Sequence, residues 1–119
     1  TFAEVELAWS NTGSQARIIE CFYSGPVTMK DPKEHITQKP LPVMVWSLGF
    51  VPDGAVVLDP FGGSGTTLIA CAQTGRVARL IELDPRYCDV IRRRWTRWAV
   101  ANNQDPGPGA LGEPDEEEP

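Results

Sequence analysis

The sequence has few residues that could hold a metal ion and no long apolar run. Its 119 residues include one histidine and three cysteines, none of them in a C-x-x-C pair. We therefore expect no metal site, and we expect Cys21, Cys71 and Cys88 to be small buried side chains in a reducing compartment. No apolar run approaches the roughly 20 residues of a membrane span, and no basic-then-apolar leader opens the chain. These absences predict a soluble cytoplasmic protein.

The net charge of -5 comes from the end of the chain. Five acids stand in EPDEEEP at 113–119, and the other 112 residues carry 11 acids and 11 bases. Between Arg76 and Arg97, seven arginines outnumber three acids. This excess leaves two interpretations open, a phosphate-facing patch or the solvated face of a helix. Residues 102–119 combine acids with prolines and glycines, so we predict a disordered acidic tail there.

Apolar periodicity and turn residues divide the rest of the chain into a hairpin followed by alternating helices and strands. The predicted elements are strands at 2–9 and 16–23, a helix at about 40–48, a strand at 55–59, a helix at about 65–74, a strand at 76–84 and a helix at 84–101. The strand–helix–strand unit implies parallel strands with a right-handed crossover. We therefore predict one α/β domain over residues 1–101.

Two of these elements carry more specific expectations. The continuous apolar run AVVLD at 55–59 is typical of a strand buried on both faces of a parallel sheet. Asp84 and Pro85 are expected to begin the last helix as its N-cap and first residue. Trp95 and Trp98 are expected to lie on the buried stripe of that helix.

A glycine-rich turn, DPFGGSGTT at 59–67, stands between a strand and a helix and predicts a ligand site. A P-loop for nucleoside triphosphates needs a lysine that this turn lacks. A dinucleotide fingerprint needs a third glycine after Gly63 and Gly65, and Leu68 stands in its place. The turn therefore favours a ligand without a pyrophosphate, with a dinucleotide left as the alternative.

S-adenosylmethionine is such a ligand, and two acids suit it. Asp59 ends the first parallel strand, where its carboxylate can offset the ammonium and sulfonium charges. Glu82 follows the next strand, where it can accept hydrogen bonds from ribose hydroxyls. Backbone N–H groups of the turn, with small hydroxyls at Ser64, Thr66 and Thr67, can meet the carboxylate of the methionine end.

Three segments together resemble the beta-class DNA amino-methyltransferases: HITQKP at 35–40, DPFGGSGTT at 59–67 and IELDPRYCDV at 81–90. The resemblance implies a partial Rossmann-like, S-adenosylmethionine-dependent methyltransferase fold, with an N-terminal antiparallel hairpin beside parallel strands and flanking helices. It implies methyl transfer from S-adenosyl-L-methionine to an exocyclic amine of adenine or cytosine in DNA. The cofactor-binding residues that it implies are Thr37, Gln38, Lys39, Asp59, Phe61, Gly63, Ser64, Gly65, Thr66, Thr67, Glu82 and Asp84. The chain departs from the family pattern at Ile36, where proline is usual, and at Leu80, where glycine is common.

The catalytic motif of that family, (D/N/S)-P-P-(Y/F), is absent, because Pro-Pro occurs nowhere in these 119 residues. We expect the catalytic residues to lie in an N-terminal half or in a partner chain, so this chain is expected to be the cofactor-binding portion of a longer enzyme or a naturally shortened relative. The alternative is a non-catalytic remnant or assembly module. A sheet that lacks its other strands is expected to expose an apolar edge, which favours self-association.

Overall fold

The computed structural model describes residues 7–13, 15–21 and 38–112, and these form three helices and two strands. In chain order the elements are α1 (Leu41–Leu48), β1 (Val56–Asp59), α2 (Thr66–Gln73), β2 (Val77–Leu80) and α3 (Pro85–Ala101). The two strands pair in parallel, with Val56 opposite Val77 and Asp59 opposite Leu80. The predicted α/β order and the parallel pairing are confirmed, and the carboxyl ends of both strands meet at one edge of the sheet.

Two of the three described helices, α1 and α3, begin at a start signal in the sequence. Pro40 precedes α1 in an extended conformation, which suits a residue that cannot donate a backbone hydrogen bond. The Asp84 carboxylate accepts a hydrogen bond from the Arg86 N–H at 2.9 Å, so the predicted N-cap of α3 is confirmed. The start of α2 differs, because Gly65 precedes it in a left-handed conformation without a side-chain cap.

The core lies where α1 and α2 cover one face of the sheet. Leu48 of α1 packs against Ala70 and Cys71 of α2. Val57 of β1 and Ala78 of β2 are partly buried and pack against this cluster. Burial is the main cause of the raised pKa of the Cys71 thiol, which keeps that thiol protonated and unreactive. The prediction of a buried structural cysteine is therefore confirmed for this position.

The other face of the sheet is open, which corrects the expectation that β1 is buried on both sides. The exposed fractions are 66% for Val56, 65% for Leu58 and 41% for Val77. Successive residues of a strand point to opposite faces, so the same strand contributes Val57 to the core and Leu58 to this open face. The exposure of these three side chains shows that the described elements leave this side largely uncovered.

The predicted hairpin is wrong over the residues that can be compared. Residues 7–13 and 15–21 contain no strand, and Leu7, Trp9 and Ile18 are between 88% and 95% exposed. A two-stranded hairpin is marginally stable in water unless one face packs on another element, and these side chains have no such surface. The remaining parts of the predicted strands, 2–6 and 22–23, lie outside the described residues.

Residues 102–112 lie along α3, and the disorder that the composition of 102–119 indicates stays a prediction. The Trp95 indole Nε1 donates to the Pro106 carbonyl at 3.0 Å, and the Arg92 Nε donates to the Gly109 carbonyl at 2.8 Å. The hydrogen-bond donors in these contacts come from α3 rather than from the segment itself. The acidic residues 113–119 lie outside the described residues.

Candidate functional site

The glycine-rich turn connects β1 to α2 at the carboxyl edge of the sheet. Gly63 and Gly65 have φ angles of +55° and +86°, in the left-handed region that favours glycine. The Gly62 N–H donates to the Ile81 carbonyl at 2.9 Å, and the Gly65 N–H donates to the Gly62 carbonyl at 2.9 Å. The turn is thus closed on itself and tied to the end of the neighbouring strand.

Asp59 fixes the entrance of the turn. Its Oδ1 accepts a hydrogen bond from the Phe61 N–H at 2.9 Å, and its Oδ2 accepts one from the Thr67 hydroxyl at 2.6 Å. The carboxylate therefore bridges the end of β1 and the first turn of α2. Asp59 is the last residue of β1, so an acid stands at the end of the first parallel strand as the sequence indicated.

Glu82 fixes the middle of the same turn from the end of β2. Its Oε2 accepts from the Gly63 N–H at 2.7 Å, and its Oε1 accepts from the Asp84 N–H at 2.9 Å. These backbone hydrogen bonds, that from Asp84 first, lower the pKa of Glu82 because they stabilise the ionised carboxylate. Both predicted acids therefore contact the same turn. Glu82 reaches it from a position 19 residues after Gly63 along the chain.

The segment before α1 also contacts the turn. The Thr66 hydroxyl donates to the Lys39 carbonyl at 3.2 Å, and Gln38 is only 7% exposed. The Lys39 residue itself is exposed. Lys39 thus contacts the turn through its backbone carbonyl. The predicted role of Gln38 and Lys39 toward a cofactor stays a prediction, and Thr37 lies outside the described residues.

Arg94 is the site residue that the sequence reasoning missed. It is 6% exposed, and its Nη1 donates to the Thr66 hydroxyl at 2.9 Å and to the Ser64 hydroxyl at 3.1 Å. A signal for it was present, because Arg94 stands three residues after Ile91 and four before Trp98, on the buried stripe of α3. A charged residue on an apolar helix face indicates a buried polar partner.

The three hydroxyls predicted to meet a ligand already have protein partners. Those of Ser64 and Thr66 accept from Arg94, and that of Thr67 donates to Asp59. Their contact with a ligand stays a prediction. The first N–H groups of α2, which geometry leaves without intrahelical acceptors, are the other donors of the turn.

Phe61 belongs to the turn, and Asp84 stands two residues after Glu82 as the N-cap of α3. The Phe61 side chain is 87% exposed. The Asp84 carboxylate pairs with the Arg86 guanidinium at 2.7 Å, and this hydrogen-bonded cation lowers the pKa of Asp84. Asp84 therefore caps and pairs within α3, and its role toward a ligand stays a prediction.

The seven arginines between Arg76 and Arg97 serve separate local contacts. Arg76 donates to the Val51 carbonyl at 2.8 Å and joins the exit of α1 to the start of β2. Arg92 and Arg93 donate to backbone carbonyls of the segment that follows α3. These contacts favour structural roles over a continuous phosphate-facing patch.

Two other site classes find no support in the part of the chain that the structure describes. No three His, Cys, Asp or Glu side chains in this part are grouped so that they could bind a metal ion. None of its helices combines the length and the apolar character that crossing a membrane requires.

Replacing Gly65 by alanine is expected to destabilise the domain by about 2 kcal/mol. The new Cβ would stand 3.1 Å from the Ile91 Cγ1, in a backbone conformation with φ of +86° that disfavours L-residues. Chemical denaturation measures the loss. Gly75→Ala is the matched control, because Gly75 has a φ of +69° and an added methyl group there would meet no atom within 4 Å. Equal losses in both variants would show that packing of the turn on α3 contributes nothing.

Comparison with known proteins identifies similar sequences. The DNA methylase family model matches residues 7–93. The type II methyltransferase M.HindIII of Haemophilus influenzae is 43% identical over 51 residues. A Thermus thermophilus protein assigned as a DNA modification methylase, solved with S-adenosyl-L-methionine, is 46% identical with a TM-score of 0.49. The M1.HpyAVI–SAM complex is 32% identical, also with a TM-score of 0.49.

These matches cover only part of each relative. The segment shared with M.HindIII is 42% of this chain and 16% of that protein. The Thermus protein is matched over 50% of this chain and 25% of its own length, and M1.HpyAVI over 66% and 42%. The chain therefore spans less than half the length of each of these relatives.

Proposed function

This chain belongs to the DNA methylase family, and we propose that it is the cofactor-binding portion of a site-specific DNA methyltransferase. The complete enzyme takes the methyl group of S-adenosyl-L-methionine and transfers it to an exocyclic amine of adenine or cytosine in DNA. The catalytic (D/N/S)-P-P-(Y/F) motif that this reaction needs is supplied by another portion of the enzyme or by a partner chain.

The observation that carries this proposal is the attachment of two acids to one glycine turn. Asp59 and Glu82 follow adjacent parallel strands, and each accepts a hydrogen bond from a backbone N–H of the turn. A dinucleotide site also needs an acid that binds the ribose. An acid directly before the phosphate-binding turn is unfavourable there, because its carboxylate repels the pyrophosphate. A cationic methionine end is favoured at that position.

In the proposed complex the two acids hold opposite ends of the ligand. Asp59 faces the ammonium and sulfonium charges, and Glu82 accepts hydrogen bonds from the ribose hydroxyls. Each carboxylate oxygen has two acceptor positions, so Glu82 can keep its bond to the Gly63 N–H while it accepts another. The first N–H groups of α2 meet the carboxylate of the methionine end.

The remaining predicted residues surround this ligand in the proposal. Thr37, Gln38 and Lys39 fold over the methionine end. The position of Lys39 beside the turn is supported by the bond from the Thr66 hydroxyl to the Lys39 carbonyl. Phe61, whose side chain is exposed, and Asp84, two residues after Glu82, complete the set.

Calorimetric titration of the purified chain tests the proposal. We expect heat from S-adenosyl-L-methionine and none from NAD at the same concentration, because the two ligands share a ribose and an adenine but differ in the group that meets Asp59. If NAD binds and S-adenosyl-L-methionine does not, the cofactor is a dinucleotide and the proposal is wrong. No heat from S-adenosyl-L-methionine at millimolar concentration would contradict cofactor binding by this chain.

The open face of the sheet is where we propose that the catalytic portion packs. Val56, Leu58 and Val77 present apolar side chains there, and the relatives are longer than this chain. Burying such a face is worth about 25 cal/mol for each Å² of apolar surface. DNA would then be bound by the assembled enzyme, and a chain purified alone would cover this face with a second copy.

Substitution of Leu58 by lysine is expected to abolish self-association of the purified chain. The Leu58 side chain is 65% exposed in the middle of the open face, and a charge there opposes burial. Size-exclusion chromatography with light scattering gives the mass. Val100→Lys is the control, since Val100 is similarly exposed, at 63%, but lies on α3. A wild-type chain that stays monomeric at every concentration would contradict the proposed interface.

A further inference from the structure

The guanidinium of Arg94 is buried directly against the glycine turn. Its Nη1 donates to the Ser64 carbonyl at 3.3 Å, in addition to the hydroxyls of Ser64 and Thr66. Neighbouring arginines of α3, such as Arg92 and Arg97, are exposed. Burying a guanidinium is costly unless hydrogen bonds satisfy its donors, so this placement depends on the shape of the turn and supports it in return.

Arg94 holds one peptide plane of the turn from one side. The chain has no cis peptide among its described residues, so the Ser64 carbonyl and the Gly65 N–H point in opposite directions. The carbonyl accepts from Arg94, and the N–H donates to the Gly62 carbonyl at 2.9 Å. With both ends of this peptide bound, the plane that leads into the left-handed Gly65 cannot rotate freely.

Arg94 also sets the direction of a hydroxyl. A guanidinium only donates, so the Thr66 Oγ1 must accept from Arg94 and is left to donate its own proton elsewhere. That proton goes to the Lys39 carbonyl at 3.2 Å. The buried Arg94 side chain thus connects α3 to the turn and, through the Thr66 hydroxyl, to the segment before α1.

We propose that Arg94 is a positioning residue that shapes the turn to receive the amino-acid end of the cofactor. The inference rests on the proposed function of the turn. The contacts of Arg94 reach residues 64–66 and, through Thr66, Lys39, which are the groups proposed to surround the methionine end. Glu82, proposed to hold the ribose, receives its hydrogen bonds from Gly63 and Asp84 instead. These contacts of Arg94 therefore act on the amino-acid end of the ligand.

The test compares two ligands in one variant. Arg94→Gln is titrated calorimetrically with S-adenosyl-L-methionine and with 5′-methylthioadenosine, which keeps the adenosine and lacks the amino-acid end. We expect the dissociation constant for S-adenosyl-L-methionine to rise about tenfold, while that for methylthioadenosine changes less than about twofold. Arg97→Gln is the matched control, because Arg97 is exposed on the same helix. It is expected to leave both constants unchanged.

The pattern of losses separates the possible outcomes. Equal weakening of both ligands in Arg94→Gln would indicate a merely structural role and overturn the inference, as would no change in either. Failure of the wild-type chain to bind either ligand would contradict the proposed function instead. If Arg94→Gln does not fold, Arg94→Lys takes its place, because an ammonium keeps the charge but not the planar arrangement of donors. The same selective loss, of a smaller size, is then expected, and an equal or absent loss overturns the inference.

Discussion

Replacing Asp59 by alanine is expected to weaken binding of S-adenosyl-L-methionine on the order of a hundredfold. Two effects combine in this variant. The proposed ion pair with the ammonium and sulfonium charges is lost, and so are the hydrogen bonds that hold the Phe61 N–H and the Thr67 hydroxyl at 2.9 and 2.6 Å. Calorimetry on the purified chain measures the change.

A second variant separates these two effects. In Asp59→Asn the amide oxygen can still accept from the Phe61 N–H, so the turn keeps one of its bonds while the negative charge disappears. About a tenfold loss is expected from the charge alone. Asp53→Ala is the control acid. Its side chain is fully exposed, and it pairs with Arg76 at 3.2 Å, outside the glycine turn. If Asp59→Ala binds S-adenosyl-L-methionine with wild-type affinity, Asp59 does not contribute to the cofactor site.

Glu82→Ala is expected to weaken S-adenosyl-L-methionine and methylthioadenosine alike, by roughly tenfold to a hundredfold. Both ligands carry the ribose that Glu82 is proposed to bind, so the selectivity expected for Arg94→Gln should be absent here. The variant also leaves the N–H groups of Gly63 and Asp84 without their acceptor. Calorimetry with the two ligands compares the losses. A loss confined to S-adenosyl-L-methionine would contradict the assignment of Glu82 to the ribose.

The same residue predicts the pH dependence of binding. Hydrogen bonds from the N–H groups of Asp84 and Gly63 lower the pKa of Glu82 in the folded chain. A carboxylate accepts hydrogen bonds from ribose hydroxyls more strongly than a protonated carboxyl group does, and Glu82 becomes protonated only as the pH falls through its lowered pKa in the folded chain. We therefore expect constant affinity from about pH 8 to about pH 5 and a decline only below the usual glutamate range. Glu82→Gln should make this acidic decline smaller, and affinity that already falls near neutral pH would point to another titrating group.

Much of the turn could be predicted from the sequence because its constraints are local. Gly63 and Gly65 adopt left-handed backbone conformations that few other residues accept, and Asp84 caps the helix that it precedes. The strand pairing followed from the order strand–helix–strand. In each case the residue type and its immediate neighbours determine the conformation.

The features that the sequence did not predict depend on distant packing. Arg94 was treated as one of several helix arginines, and only the fold brings it to Ser64 and Thr66. The apolar run of β1 indicated two covered faces, but a run of apolar residues does not say which partner covers them. Likewise, the alternating pattern that includes Trp9 suggested a strand, although the described residues offer this side chain no packing surface.

The central claim is that the glycine turn between Asp59 and Thr67 receives S-adenosyl-L-methionine. Titration of the isotopically labelled chain with that ligand, followed by amide chemical shifts, tests it most directly. The account predicts that the largest shifts fall on the amides of Gly63 to Leu68 and of Asp84, with small changes along residues 102–112. Shifts concentrated on the outer face of α3, or none at the turn under saturating ligand, would contradict it.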